Sequence, residues 1–414
     1  MIPRHASFQI FMRPILDLPP AGCQRTFLVF RANLLLTQPK GVEMIARWNG
    51  RALLILLVLV LSQVAAAEEI APGLRYEQRA EPGPLAIYWL EVDPGRISIR
   101  LRHAGDGGLG RQTVPALALQ EGAIAAVNGG FFRIGGALDG KSTGLLKVGE
   151  RWLSDSPLPR GAIGWQSTGR DALIGRLRVF WTLRVGKWRF PVDRINGPRG
   201  ASSAILYTGA FDASTRTEPG GREVIVSDDR VTNVTEGGNA AIPKDGFVYS
   251  AGAAVREKVS ALRPGMRARL ALRFQPGFQA QPSPQRRWSE MDFILGGTPV
   301  LVSEGRKVSD FREERIQDSF VNGRHPRTAV GIRKDGTWIL LVVDGRQELK
   351  SIGMTLEELA AYLVSLGCVR ALNLDGGGSS TLVVNGRTRN FPSDPTGERP
   401  VSDAILLFPR ETGR

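Results

Sequence analysis

The chain has 414 residues, of which 42% are hydrophobic and 23% are charged, and its formal net charge is +14 at pH 7. This length allows two or three domains, or one large domain with insertions, and the hydrophobic fraction is ample for a core. The composition therefore excludes a disordered or fibrous chain and predicts a basic globular protein.

A hydrophobic leader precedes the globular part. Two arginines lie before the apolar run at residues 52–61, and three alanines followed by two glutamates come after it. This order is typical of a signal peptide at residues 44–67, and the run is short for a membrane span. We expect an exported protein, periplasmic or secreted, with no permanent membrane span after cleavage; an uncleaved anchor is the alternative. Residues 1–43 are interpreted as an upstream extension, with translation starting at Met44.

The charge of the mature chain bears on its partners. The leader carries seven Lys/Arg and two Asp/Glu, so its removal lowers the formal net charge to +9. Basic proteins often bind nucleic acid, but export and the even spread of the arginines argue against that partner. A phosphate-bearing glycan or another acidic extracellular polymer fits better, and an arginine-rich proteome is the alternative explanation.

Cysteine and histidine are scarce in the mature sequence. Cys368 is its only cysteine, and His103 and His325 are its only histidines. An intrachain disulfide is therefore excluded, and a zinc site or a Ser-His-Asp triad is disfavoured.

The first part of the mature chain has mostly β patterns. Residues 68–121 form a β-rich lead-in that includes a helix at 114–120, and the buried strand that follows delivers Asn128. Residues 172–290 carry repeated strand patterns without a chemical motif. We interpret them as a β-rich insertion into a catalytic domain that spans 122–410.

The pattern tightens toward the C-terminus. A hairpin at 329–343 turns at an Asp-Gly pair, and Thr355 with Glu358 forms a capping box at the start of the clearest amphipathic helix. This helix connects a strand ending at Asp344 to a strand ending at Asp375. In such a crossover the two strands are parallel, so both carboxylates emerge at one sheet edge. We predict an α+β fold: a mixed, β-rich sheet core with few helices, including this strand–helix–strand crossover.

The segment A-L-N-L-D-G-G-G-S-S-T at 371–381 is the most informative motif. Its three glycines, Gly376, Gly377 and Gly378, allow positive φ and successive N–H groups turned to one side, which predicts a nest for an oxyanion. Asp375 stands at the lip of this nest. The alternative is an ordinary Gly-rich turn in which the carboxylate caps backbone amides.

Other segments share this character of polar residues beside a β-rich run. They are A-V-N-G-G-F-F at 126–132, R-H-P-R-T-A-V-G at 324–331, V-V-D-G-R at 342–346 and N-F-P-S-D-P-T-G-E-R-P-V-S-D-A at 390–404. With the segment at 371–381, this set resembles the phosphodiester glycosidase family. That family includes the enzyme that removes a covering N-acetylglucosamine from mannose 6-phosphate, together with bacterial relatives connected with exopolysaccharides.

The resemblance implies hydrolysis of a sugar 1-phosphodiester at the anomeric C–O bond. A phosphate monoester leaves readily, so stabilisation of phosphate charge matters more than a strong acid. Bidentate guanidinium contacts suit that task, and Arg327, Arg346 and Arg399 are the candidates, with the Gly nest as a second clamp. The two-carboxylate logic of glycosidases points to Asp344 and Asp375.

The sequence thus proposes a complete site. The candidate catalytic residues are Asp375, Asp344 and His325. The candidate substrate-binding residues are Asn128, Gly129, Arg324, Arg327, Arg346, Gly376, Gly377, Gly378, Ser379, Ser380, Asp394 and Arg399. Each also has a structural alternative, since an arginine can pair with a carboxylate and an Asp or Asn can hold a turn.

Two other classes of function stay open at this stage. A metal-dependent phosphodiesterase would hold Ca²⁺ or Mg²⁺ through oxygens of Asp344, Asp375, Asp394 and Asn128. The glycosidase reading requires no cofactor. A binding protein for phosphate-bearing glycans would need the same surface without turnover. The natural glycan and the oligomeric state are left open.

Overall fold

The computed structural model describes residues 67–105, 107–277 and 285–410. The predicted upstream extension and the signal peptide up to residue 66 lie outside this part. Within the described residues, no helix is both long enough and apolar enough to cross a membrane.

Strands dominate the described chain, and helices are few. In chain order the strands are β1 Glu68–Ala71, β2 Leu74–Glu81, β3 Leu85–Val92, β4 Ile97–His103, β5 Ala125–Asn128, β6 Leu146–Val148, β7 Arg151–Ser154, β8 Arg160–Trp165, β9 Leu173–Val185, β10 Trp188–Val192, β11 Arg194–Ile195, β12 Ala204–Thr208, β13 Gly221–Ser227, β14 Arg230–Gly237, β15 Gly246–Ala251, β16 Ala268–Pro276, β17 Phe293–Gly296, β18 Val300–Ser303, β19 Arg306–Lys307, β20 Arg327–Arg333, β21 Trp338–Val343, β22 Cys368–Asn373, β23 Leu382–Val384, β24 Arg387–Thr388 and β25 Asp403–Pro409. The helices are α1 Val114–Glu121, α2 Gln285–Ser289, α3 Asp318–Asn322 and α4 Leu356–Ser365.

The described strands form four sheets. An eight-stranded sheet has the order β1-β2-β3-β21-β20-β22-β18-β19, and a seven-stranded sheet has the order β10-β9-β8-β17-β6-β7 with β16 also paired to β9. Two five-stranded sheets have the orders β11-β12-β15-β13-β14 and β24-β23-β5-β25-β4. The predicted α+β class with a mixed, β-rich core and few helices is confirmed.

The strand–helix–strand crossover is also present. Strands β21 and β22 both pair antiparallel with β20, which lies between them, so they run parallel to each other and α4 connects them. Thr355 caps α4 in a capping box with Glu358, which satisfies two N–H groups at the helix start. The segments after β21 and β22 therefore leave the sheet at one edge, where β20 begins.

The central strands of the eight-stranded sheet are buried on both faces, because successive side chains point to opposite faces and both faces are covered. On β21, Leu340 and Val342 pack toward β4, β5, β23 and β25, whereas Leu341 and Val343 pack toward α4. All six residues of β21 are buried. This double burial fixes the register of β20, β21 and β22, and with it the position of the sheet edge that carries the site.

The lead-in and the middle region both contribute to these sheets. Strand β3 pairs with β21 and β4 pairs with β25, so residues 68–121 belong to the core. Strands β9 and β16 join the seven-stranded sheet, whereas β11–β15 between them form a sheet of their own. The region 172–290 is thus part scaffold and part inserted sheet.

Candidate functional site

The candidate site lies where the chain passes from one sheet to another. After β22 of the eight-stranded sheet, residues 374–381 lead into β23, which pairs with β5. Asn128 ends β5, and its side chain bonds to this connecting segment. Two sheets therefore fix the residues that the sequence predicted to be functional.

Asp375 stands at the centre of this junction. Its N–H donates to the Gly129 carbonyl at 3.1 Å, and its carbonyl accepts from Asn128 Nδ2 at 2.8 Å. Its Oδ1 accepts from the N–H of Gly376 at 2.9 Å. Part of the residue remains accessible although protein atoms surround its carboxyl group. The backbone of Asp375 is thus held from both sides.

The electrostatics of Asp375 suit acid–base chemistry. Burial raises the pKa of its carboxyl to about 7, and the nearby Asp403 carboxylate contributes to the rise. The hydroxyl of Ser379, the Gly376 N–H and the guanidinium of Arg399 oppose the rise by stabilising the ionised form. A carboxyl that titrates near neutral pH can exchange a proton with substrate or water.

The N–H groups of Gly376 and Gly377 are engaged within the protein, unlike those of the open nest that the sequence suggested. Gly377 has a φ of +63° and donates its N–H to the Pro326 carbonyl at 2.9 Å. The N–H groups of Ser379 and Ser380 donate to the carbonyls of Gly376 and Gly377 in a short 3-10 turn. These amides are therefore engaged within the protein, and the contacts favour the Gly-rich turn over the predicted second phosphate clamp.

Gly378 and Ser380 have structural tasks as well. A Cβ on Gly378 would collide with the carboxylate of Asp394, so only glycine fits under that side chain. The buried Ser380 hydroxyl accepts from Thr328 Oγ1 at 3.3 Å, and its carbonyl accepts from Asn390. The small residues let other parts of the chain approach Asp375 closely.

Arg346 is the accessible cation of the site. It follows Asp344 and Gly345 at the sheet edge, has a φ of +61° and is exposed. Its guanidinium lies against Gly377, with the terminal nitrogens 3.2 and 3.3 Å from the position of a Cβ on that residue. An exposed guanidinium thus borders the segment that carries Asp375, as the predicted phosphate contact requires.

Arg327, by contrast, is buried, and its Nε and Nη2 donate to backbone carbonyls. Its Nε donates to the Met354 carbonyl at 2.9 Å, and its Nη2 donates to the carbonyls of Phe320 and Gly323 at 3.0 and 2.7 Å. Burial and the charge of Arg346 lower its pKa to about 10. These contacts favour the structural alternative for Arg327 over a phosphate clamp.

Arg324 is turned away from Asp375 by its own partners. Its Nη2 forms an ion pair with Glu358 of the α4 capping box, and its Nη1 donates to the Gly353 carbonyl at 3.0 Å. The ion pair that the sequence analysis named as the alternative is therefore present, and a substrate contact from Arg324 would have to break it.

His325 lies between the two arginines of this edge. Its Nδ1 is buried and has no hydrogen-bond partner among the described residues. Burial and the charges of Arg327 and Arg346 lower the pKa of its imidazole, so the ring is neutral at pH 7. Because Nδ1 is buried, a contact from His325 to a substrate would have to come from Nε2, and the catalytic role of this residue stays a prediction.

Asp344 differs from Asp375 although both follow parallel strands. The Asp344 side chain is 2% exposed, and its carboxylate accepts from Asn390 Nδ2 at 3.0 Å and from the Phe391 N–H at 3.0 and 3.1 Å. Burial raises its pKa, and hydrogen bonds from Asn390, Phe391 and Tyr88 oppose the rise. These contacts favour an anchoring role over the predicted role of nucleophile or base.

Asp394 and Arg399 act as a pair. Arg399 Nε donates to Asp394 Oδ2 at 2.7 Å, and its Nη2 donates to Oδ1 at 2.9 Å. This bidentate pair covers Gly378, and the guanidinium lowers the pKa of Asp375. Arg399 thus adds positive potential beside Asp375 while part of its charge is neutralised by Asp394.

Asn128 and Gly129 position the site from β5. Asn128 is fully buried, and its Oδ1 accepts from Thr328 Oγ1 at 2.8 Å and from the Thr381 N–H at 3.1 Å. The Gly129 carbonyl accepts from the Asp375 N–H. Both residues belong to the site, but as supports of the Asp375 backbone.

Asp403 lies in the motif at 390–404 and had no predicted role. It is fully buried, its Oδ1 accepts from the Gly130 N–H at 2.7 Å, and its carbonyl accepts from the Gly129 N–H at 2.8 Å. Burial raises its pKa, and the facing His103 opposes the rise. A carboxylate at the start of a buried final strand was the available signal.

Most of the oxygens proposed for a metal site already accept hydrogen bonds within the protein. Those of Asp344 accept from Asn390 and Phe391, those of Asp394 from Arg399, and Asn128 Oδ1 from Thr328 and Thr381. Among the described residues, no group of three or more His, Cys, Asp or Glu side chains has the arrangement of a metal site.

Comparisons with known proteins found a family match over part of the chain. Residues 220–408 match the family model described as phosphodiester glycosidase. The N-acetylglucosamine-1-phosphodiester alpha-N-acetylglucosaminidase of Bos taurus is 39% identical over 99 residues, which are 24% of this chain and 18% of that protein. The chain thus matches less than a fifth of the length of this curated relative.

Solved structures share the fold over a larger part. A protein of Synechocystis has a TM-score of 0.73 and 25% identity, covering 84% of this chain and 64% of that chain. A protein of Burkholderia pseudomallei K96243, described as a candidate exported protein, has a TM-score of 0.65 and 25% identity, covering 79% of this chain and 74% of that chain.

Proposed function

We propose that this chain, whose residues 220–408 belong to the phosphodiester glycosidase family, hydrolyses the glycosidic bond of a sugar 1-phosphodiester. One observation carries the proposal: Asp375, a carboxyl with a pKa of about 7, lies two residues before Gly377, against which the exposed guanidinium of Arg346 packs. The first group exchanges protons at neutral pH, and the second binds a phosphate diester. Because the bovine relative is named for an N-acetylglucosamine 1-phosphodiester, we choose N-acetylglucosamine as the sugar of the first test substrate.

The chemistry follows from the positions of these two groups. Arg346 binds the phosphate and stabilises the charge that grows on it as the anomeric C–O bond breaks. The bonding electrons leave with the phosphate oxygen, and a water molecule forms the new bond to the anomeric carbon. Ionised Asp375 takes the proton of that water and stabilises the oxocarbenium-like centre, and Arg399 adds positive potential beside the phosphate.

No metal ion enters this proposal. The carboxylates of Asp344 and Asp394 already have hydrogen-bond donors, and their loss to a cation would release Phe391 and Arg399. Phosphate charge is met by guanidinium groups, which need no cofactor.

The cellular setting is part of the proposal. The leader pattern at residues 44–67 supports export, and the similar Burkholderia protein described as exported agrees with it. A basic, exported hydrolase of phosphodiester-linked sugars fits an envelope glycan or an exopolysaccharide as its substrate.

The test is turnover in ¹⁸O-labelled water. The substrate is N-acetylglucosamine 1-phosphate esterified to methanol, and mass spectrometry reads the products. The proposal expects the label in the sugar hydroxyl and unlabelled methyl phosphate. Label in the phosphate would mean attack at phosphorus, as a phosphodiesterase requires, and the absence of turnover together with tight binding would mean a glycan-binding protein. Asp375→Asn serves as the matched control.

A further inference from the structure

A basic face lies on three neighbouring strands of the seven-stranded sheet. Strand β9 pairs with β10 and with β16, and the three strands together contain six arginines and no aspartate or glutamate. None of the candidate site residues lies on these strands. The face is therefore separate from the site around Asp375.

Five of the six arginines lie on the outer side of the sheet. From residue 178 onward, partly or fully exposed positions alternate with buried ones along β9, and directly paired residues of antiparallel strands share a face. The sixth arginine, Arg176, is buried and pairs with Glu314 at 3.0 Å. The outward arginines are Arg178, Arg184, Arg189, Arg269 and Arg273.

Three of the outward arginines form a row across the strands, which we call the arginine row. Arg184 is paired directly with Arg189 on one side and with Arg269 on the other. Like charges directly opposite each other destabilise a sheet. Arg269 pairs with Asp229 at 3.0 Å, whereas Arg184 and Arg189 have no ion pair among the described residues. The row thus has an excess of positive charge that a bound anion would balance.

The other two outward arginines contact an aromatic ring, and we call this group the ring cluster. The Cζ atoms of Arg178 and Arg273 each lie 4.4 Å from the centroid of the Phe180 ring. Neither arginine has an ion pair among the described residues. Phe180 lies four residues from Arg184 along β9, which is about 14 Å in a strand. One small anion cannot contact both groups, so their separation suits an extended chain.

The chemistry of this face favours an acidic polysaccharide over a lipid surface. Guanidinium groups bind carboxylates and phosphates in bidentate geometry, and an aromatic ring offers apolar surface to the C–H face of a sugar. Entry into a bilayer needs exposed apolar side chains. Among the described residues, the most exposed large apolar side chains all lie elsewhere in the chain, at Leu119, Ile134, Leu349 and Phe391.

We propose that the outer face of β9, β10 and β16 binds an extended acidic polysaccharide, with one anionic group of the polymer on the arginine row and another on the ring cluster. The sugar between them packs on Phe180. This inference goes beyond the proposed function, because binding here needs no reaction at Asp375. It gives the protein a holding surface for a polymer that is distinct from the site of hydrolysis.

Calorimetric binding of alginate, a linear polyuronate, tests the inference. The double variant Arg184→Gln/Arg273→Gln removes one unpaired cation from each group and is expected to raise the Kd of a long alginate oligomer at least tenfold. Its unfolding temperature should equal or exceed that of wild type, because like charges no longer face each other. The matched control is Arg306→Gln/Arg387→Gln, which removes two exposed arginines from β19 and β24 and should change the Kd less than twofold.

Two further measurements test the extended form and the sugar contact. The alginate disaccharide should bind at least tenfold more weakly than the long oligomer, because it cannot contact both groups. Phe180→Leu keeps an apolar side chain but removes the ring, and it should raise the Kd of the long oligomer roughly threefold. Equal binding of the two alginate lengths, or unchanged binding by Phe180→Leu, would contradict the proposed mode of binding.

Other outcomes overturn the inference as a whole. These are equal changes of Kd in the two double variants, or no binding of wild type to either alginate or a mannan that carries phosphate diesters. Vesicles of phosphatidylglycerol and single-stranded DNA represent the competing occupants. If either binds as tightly as alginate and loses this binding in Arg184→Gln/Arg273→Gln, the face is a lipid or nucleic-acid surface instead. Alginate binding involves no turnover, so its outcome and that of the proposed hydrolysis are read independently.

Discussion

Asn128 ends β5 of one sheet and Asp375 follows β22 of another, and the side-chain amide of Asn128 donates to the backbone carbonyl of Asp375 at 2.8 Å. The amide oxygen of Asn128 accepts from Thr328 and Thr381, which lie on both sides of the same junction. This single buried side chain thus connects β5, β20 and the segment after β22 by hydrogen bonds. It explains how a carboxylate on a Gly-rich turn keeps a fixed position.

The two arginines of the sheet edge are expected to respond differently to the same change. Arg346→Lys should lower kcat/KM for the methyl phosphodiester by at least tenfold with little change in thermal unfolding, because a point charge does not reproduce a bidentate contact. Arg327→Lys should lower the unfolding temperature, since carbonyls of Phe320, Gly323 and Met354 lose donors at about 1–3 kcal/mol each.

Kinetics and calorimetry on both variants check this difference. Loss of activity without loss of stability in Arg327→Lys would reverse the assignment and return the phosphate contact to Arg327. Arg306→Lys on the exposed edge strand β19 is a control for the substitution itself.

Asp403 is expected to raise the pKa of Asp375. Its charge contributes to the raised pKa of Asp375, so Asp403→Asn should move the midpoint of the pH–rate profile below about 7. The shift should be partial because burial is the larger cause. The amide oxygen of the new residue still accepts from the Gly130 N–H, which preserves the turn.

The measurement is kcat/KM between pH 4 and 9. Asp335→Asn, at the turn on the opposite edge of the sheet, removes a carboxylate without approaching Asp375 and should leave the profile unchanged. An unshifted midpoint in active Asp403→Asn would show that the Asp403 charge does not change the pKa of Asp375 and that Asp403 only positions the neighbouring backbone.

Asp344 and Asp375 show which features of the site could be predicted from the sequence and which could not. The crossover pattern placed both carboxylates at one edge, and the structure agrees, because strand period and capping are local signals. Their different surroundings are set by distant partners: Asn390 and Phe391 reach Asp344 from 46 and 47 residues away along the chain. No local pattern encodes that contact.

Arg327 and Asp403 show that the sequence alone did not predict which side chains have structural contacts in the site. The sequence assigned Arg327 to phosphate because Arg beside a strand end suits that role, but three backbone carbonyls surround it. Asp403 had no assigned role because its importance depends on β25 pairing with β5, which lies about 275 residues earlier. The fold class was predictable from the sequence, whereas the hydrogen-bond partners of each candidate side chain needed the packed structure.

Metal removal is expected to leave the activity unchanged. Dialysis against EDTA should preserve kcat/KM for the methyl phosphodiester within twofold, since guanidinium groups balance the phosphate charge. Activity lost with EDTA and restored by Ca²⁺ or Mg²⁺ would instead support the oxygen-ligand alternative. Measuring unfolding temperature with and without EDTA separates a catalytic ion from a structural one.

The mature N-terminus is expected at Glu68. The proposed signal peptide at residues 44–67 would end after three alanines, and Glu68 begins β1, where it pairs with Arg389 at 2.9 Å. Protein isolated from the exporting cell should give a terminal peptide starting at this residue. A peptide from residues 1–43 in the native protein would contradict both the cleavage and the start at Met44.

Asp375→Asn provides the decisive test of the centre. The amide has nearly the same shape and its oxygen still accepts from the Gly376 N–H, so folding and substrate binding should persist while kcat falls by at least a hundredfold. The pH dependence of stability also follows from the raised pKa. The folded state binds a proton that the unfolded carboxyl releases near its ordinary value of 3.8, so wild type loses stability as the pH rises from about 4 to 7. Asp375→Asn lacks this loss, and its unfolding temperature should exceed that of wild type increasingly toward pH 7. Near-normal turnover in the folded variant, measured beside Asp335→Asn, would remove Asp375 from the chemistry.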